Sequence, residues 1–213
     1  MKNYSFLLAS ALFVFTSCLP QINVKAQSND SATISFSTGF SSTLTKTLKN
    51  LSGLDENTPL FSKADILNLL NSSGAVNTSA SLPSQNEVAA SGTIPKLSEN
   101  LLTKTGLLRK SEKSLTLTIG SRQIVDFYNL LNEDSKSYLD LLMIPALIGE
   151  QMSVSEYQEL LSSMYGPSFA EEIVNGRLSI ILSSPDGKKQ AKESVTLGEL
   201  LCTTEEKSWK VSW

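Results

Sequence analysis

The chain contains no histidine and only two cysteines, Cys18 and Cys202. Without an imidazole, Ser-His and Cys-His nucleophile pairs and histidine-liganded metals are excluded. No Gly-x-Gly occurs, which removes the usual dinucleotide and kinase phosphate loops. P-loop, Gly-x-Ser-x-Gly and Cys-x-x-Cys motifs are missing as well, and no serine is followed three residues later by lysine. Basic residues are in deficit. Eighteen Lys and Arg against 21 Asp and Glu give a formal charge of −3, whereas a nucleic-acid partner calls for a basic stripe. Beyond the first residues no apolar run is long enough to span a bilayer, which takes about 20 residues.

What the chain does have begins at its N-terminus. Lys2 is followed by the mostly apolar stretch Phe6 to Phe15, too short to span a membrane and suited to the hydrophobic region of an export signal. Phe15-Thr16-Ser17-Cys18 then resembles a bacterial lipobox, in which small residues precede a cysteine that is lipidated and becomes the new N-terminus. Its leading Phe is similar to the relaxed lipoboxes of spirochaete lipoproteins. This reading makes residues 1–17 a signal peptide, Cys18 the lipidation site and 18–21 a short tether. Val24-Lys25-Ala26 supports a competing expectation: small residues at the two decisive positions, cleavage after Ala26, and a secreted form that starts at Gln27. On either reading Cys202 is a single thiol in an apolar run, so the mature chain forms no internal disulfide. Leu200-Leu201-Cys202 reads as a buried small hydrophobe rather than a nucleophile.

The remaining chain is long enough to bury about 70% of its unfolded surface without a metal or disulfide. Ile22, Val24 and Ala26 alternate with polar residues, as do Ala32, Ile34 and Phe36 beyond Ser28-Asn29-Asp30-Ser31, which predicts a hairpin. Leu44, Leu48 and Leu51 mark a helix that closes at Gly53. Ser62-Lys63-Ala64-Asp65 opens another, with Ile66, Leu67, Leu69 and Leu70 on its apolar face and Gly74 at its end. Val76 to Ile94 reads as a second hairpin around Pro83-Ser84-Gln85-Asn86. A third spans Leu107 to Ile119 about Arg109-Lys110-Ser111-Glu112-Lys113, whose charges suit a solvated turn better than a phosphate site.

A helical region is expected from Ser121 to about Asn175. Capping boxes at Ser153-Val154-Ser155-Glu156 and Ser168-Phe169-Ala170-Glu171 mark helix starts there. The chain ends in strands: Leu178 to Leu182, a tight turn at Ser184-Pro185-Asp186-Gly187, Ser194 to Leu197, and Trp209 to Trp213. Segregated hairpins and helices define an α+β fold, an antiparallel sheet with helices packed on one face. Residues 22–213 form one domain. Its recurring strand–helix–strand pattern also allows two related halves, about 22–95 and 105–213.

For chemistry, the carboxylate pairs Glu171-Glu172 and Glu205-Glu206 and the turn Asn132-Glu133-Asp134 read as structural. Adjacent residues diverge on a helix, and no calcium-loop spacing surrounds Asp134 or Asp186. The most apolar stretch, Tyr138 to Ile148 with Pro145 interrupting it, reads first as core. Its functional alternative is a pocket for an apolar ligand lined by Leu139, Leu142, Met143 and Met164. The C-terminal region, from Leu178 to Gly187, through Val195 to Leu201, to Trp209–Trp213, is similar to spirochaete lipoproteins of unknown function. That resemblance implies an address in the cell envelope and brings no catalytic residue. The expectation is therefore a lipid-anchored, non-enzymatic interaction or structural module. It needs no cofactor, binds no nucleic acid, reaches the membrane through its N-terminal lipid, and takes an envelope protein or an apolar ligand as partner. A carrier of an apolar ligand is the alternative, with periplasm or secretion as the location if no lipid is attached. A hydrolase would need two carboxylates converging in a cleft, or an activated Cys202.

Overall fold

The computed structural model describes residues 20–129, 145 and 152–213. Strands β1 (Gln21–Ala26) and β2 (Ala32–Gly39) form the first hairpin, with Val24 opposite Ile34 and Ala26 opposite Ala32. Helix α1 (Ser42–Ser52) follows at once. Ser41 caps it by accepting a hydrogen bond from the Leu44 N–H at 3.1 Å, and Gly53 closes it with a left-handed φ of 64°. Helix α2 (Lys63–Ser72) starts at Ser62, which accepts from the Asp65 N–H. Strands β3 (Val76–Ser84) and β4 (Glu87–Ile94) make the second hairpin, and a short helix α3 (Leu101–Lys104) leads into the third, β5 (Leu108–Ser111) and β6 (Ser114–Ile119). Helices α4 (Ser121–Asn129), α5 (Val154–Tyr165) and α6 (Pro167–Asn175) precede β7 (Arg177–Ser183) and β8 (Gln190–Thr196). The short helix α7 (Leu197–Cys202) and strand β9 (Lys207–Ser212) complete the fold.

This is an α+β architecture, with its strands divided between two sheets. The larger has six strands in the order β3-β4-β2-β1-β7-β8, and the smaller has three, β5-β6-β9. All pairings are antiparallel except β1 with β7, where Ile22 lies beside Ile180 and Val24 beside Leu182. That parallel contact joins the first strand to one more than 150 residues later, and it places β1 inside the sheet rather than at its edge. Period-two alternation gives each sheet one apolar face. Val24, Ala26, Ala32, Ile180 and Leu182 from the large sheet and Leu108, Leu115, Leu117 and Val211 from the small one belong to a single buried cluster. The small sheet lies across the β7–β8 end of the large one.

The helices make a second cluster of their own. Leu44, Tyr157, Leu161, Phe169, Ala170, Ile173 and Val174 are buried together where α1, α5 and α6 meet. The capping box at Ser153 and Glu156 is formed in both directions. The one expected at Ser168 and Glu171 is not. Pro167 occupies the first helical position, where its fixed φ and missing N–H are best tolerated, and Gly166 precedes it at a φ of 89°. The helix thus starts two residues early, and Ser168 lies inside it. A box that the sequence reading had placed in a strand forms instead between Thr196 and Glu199, and it turns the chain from β8 into α7.

Candidate functional site

Cys18, Leu139, Leu142 and Met143 lie outside the described residues, as do Glu133 and Asp134. Of the expected apolar pocket only Met164 is described, and it projects from α5 with 48% of its surface exposed. Trp209 and Trp213 pack against the core shared by the two sheets. Cys202 is half-buried at the end of α7, against the helical cluster. Burial raises its thiol above the ordinary range, and the same effect, followed by the nearby Cys202, raises the Tyr157 phenol. A thiol shifted in this direction is a poor nucleophile at neutral pH.

Glu172 and Asp186, two of the expected carboxylates, have structural partners. Glu172 accepts hydrogen bonds from the Ser41 N–H at 3.0 Å and from the Ser41 hydroxyl, which ties α6 to the start of α1. Asp186 accepts from the Ser184 hydroxyl at 2.7 Å and from the Lys188 N–H at 3.0 Å, folding the β7–β8 turn around Gly187. Glu206 belongs to a cleft.

That cleft has a volume of about 700 Å³. Its floor is the outer face of the small sheet. While Leu115, Leu117 and Ile119 point into the core, their alternates Ser114, Thr116 and Thr118 point out. On β9 the same alternation buries Val211 and turns Ser208 and Lys210 outward. Register then builds rows across the strands: Arg109 is opposite Thr116, and Thr116 is opposite Lys210. In neighbouring positions Ser111 and Ser114 hydroxyls lie 2.8 Å apart, as do those of Thr118 and Ser208. The end of α3 and the first turn of α4 form the walls, contributing Lys104, Arg122 and Gln123.

Charge in the cleft runs against that of the whole chain. Lys104, Arg109, Arg122 and Lys210 face a single carboxylate, Glu206, in a chain whose formal charge is −3. Arg122 lies 3.7 Å from Asp126 on its own helix, whereas Lys104, Arg109 and Lys210 make no ion pair among the described residues. Gln123 is only 6% exposed. Its Nε2 donates to Glu206 Oε1 at 2.7 Å, and its Oε1 has no hydrogen-bond partner. Thr103 Oγ1, on the same wall, is likewise buried without a partner. Buried polar atoms are nearly always satisfied, so an ordered water enclosed within the wall would complete these two. The sequence reading reached Arg109 but placed it in a turn, whereas the turn is Glu112-Lys113 and Arg109 is in β5. The polar alternates of β6 and β9 were the available signal, and it is visible only once both strands share a sheet.

Among the described residues no three His, Cys, Asp or Glu side chains converge as a metal site would require. No known protein family, curated protein or solved structure matches the chain.

Proposed function

We propose that the protein is an exported, lipid-anchored module of the cell envelope that acts by binding rather than by catalysis. The observation that carries this reading is the position of β1. Cleavage after Ala26 would remove all of Gln21–Ala26, a strand hydrogen-bonded on both sides, together with the buried side chains of Val24 and Ala26. Cleavage before Cys18 keeps that strand and leaves only Leu19 and Pro20 between the acylated residue and the sheet. A tether this short holds the folded domain against the membrane surface. The non-enzymatic part of the reading is supported by the missing histidine and by a Cys202 thiol that burial raises, away from the nucleophilic thiolate.

The test is the intact mass of the N-terminal fragment from the protein purified out of native membranes, alongside a Cys18→Ser variant. The expected fragment begins at acylated Cys18, and the variant leaves the acylated membrane fraction. A mature fragment beginning at Gln27 would overturn the reading.

A further inference from the structure

We infer that the cleft on the small sheet binds an acidic glycan with one carboxylate per disaccharide. This inference stands whether or not the chain carries a lipid. Arg109 and Lys210 occupy the same row, on either side of Thr116. With two strand spacings between them, their backbones are about 10 Å apart, the repeat of a disaccharide in an extended glycan. On backbones so spaced, two extended side chains can reach separate charges rather than a single ion. They match charges that recur along a chain.

The chemistry between the cations suits a sugar. Thr116, Ser114, Thr118 and Ser208 provide hydroxyls that both donate and accept, the capacity that ring hydroxyls require. No aromatic side chain lines the cleft. Without a ring to stack on, a neutral sugar gains little here and a nucleobase gains less. Charge and hydroxyl hydrogen bonds are what the surface offers, so the ligand is a polyol that is also an anion.

The probe is a hyaluronan octasaccharide, which carries one carboxylate per disaccharide, titrated calorimetrically against the full-length chain in detergent. Dextran of similar length serves as the neutral control and oligothymidylate as the phosphate polyanion. Hyaluronan binds, more weakly at about 0.15 M salt than at low ionic strength, and dextran does not. Arg109→Ala and Lys210→Ala each weaken binding roughly threefold to tenfold, the worth of one charged, half-exposed hydrogen bond. Both side chains are exposed, so neither change disturbs the fold. Thr116→Val keeps the branched shape, removes the hydroxyl and also weakens binding. Lys46→Ala, on an exposed face of α1, leaves it unchanged. Absence of hyaluronan binding, equal binding of dextran, or binding indifferent to Arg109→Ala and Lys210→Ala would each overturn the inference. Oligothymidylate binding as tightly as hyaluronan would overturn the assignment to a glycan, because charge alone would then be read.

Discussion

Three exposed carboxylates owe their low pKa chiefly to hydrogen bonds rather than to cations. Glu156 is lowered first by the Ser153 N–H, Glu199 first by the Thr196 N–H, and Asp186 first by the Ser184 hydroxyl. Each therefore binds its proton less readily in the folded chain than in the unfolded one. Their stabilisation is complete above the ordinary carboxylate range and is lost as pH falls through the lowered folded values. The thermal midpoint should accordingly hold steady from neutral pH down to that range and then drop. Gln accepts the same N–H bond at a capping-box position without titrating. A Glu156→Gln/Glu199→Gln double variant should thus stay close to the parent at neutral pH and lose part of the acid slope. An acid slope identical to the parent's would show that these caps do not couple to folding.

At the scale of elements, what could be read from the sequence followed how local the cause is. The first three hairpins sit where period-two alternation places them, because that signal lies within a few residues, although the third turns at Glu112-Lys113 rather than from Arg109 onward. The helix starts at Ser62 and Ser153 were legible for the same reason: each cap contacts an N–H three residues on. Ser168 misled because the motif fits while Pro167 already claims the first helical position. Thr196 went unread because Val195-Thr196-Leu197 has strand composition, and the box is recognised only with Glu199. Strand partners were out of reach. Nothing near Gln21 announces a parallel neighbour at Ser179, nor does Trp209 announce Leu117. The cleft is legible to the same limited degree, since its row of Arg109, Thr116 and Lys210 exists only through that pairing. The long-range role of β1 yields its own prediction. A chain beginning at Gln27 should show no cooperative unfolding transition by circular dichroism, while one beginning at Cys18 should unfold sharply. A cooperative transition in the shorter chain would mean that β7 closes directly on β2.

The described residues form two apolar clusters, and α7 is where they meet. Leu200 is buried in the cluster between the sheets, while Leu201 and Cys202, its immediate neighbours in sequence, pack on the helical one. Contact there is close. A Cβ at Gly198 would lie 2.8 Å from Val174 Cγ1 and 3.1 Å from Val154 Cγ1, so only glycine lets α7 sit this near α5 and α6. With one short element embedded in both, neither cluster can open without exposing part of the other, and the domain should unfold as one unit. The two tryptophans make this testable, because Trp209 and Trp213 both lie against the cluster between the sheets. Leu161→Ala removes a fully buried side chain from the helical cluster, at a cost of about 2–5 kcal/mol. In urea, the tryptophan fluorescence midpoint of this variant should fall together with its far-ultraviolet dichroism midpoint, although no tryptophan belongs to the altered cluster. A fluorescence transition left at the parent position while helical signal is lost earlier would divide the molecule into two independently folding parts, with α7 as a hinge rather than a joint.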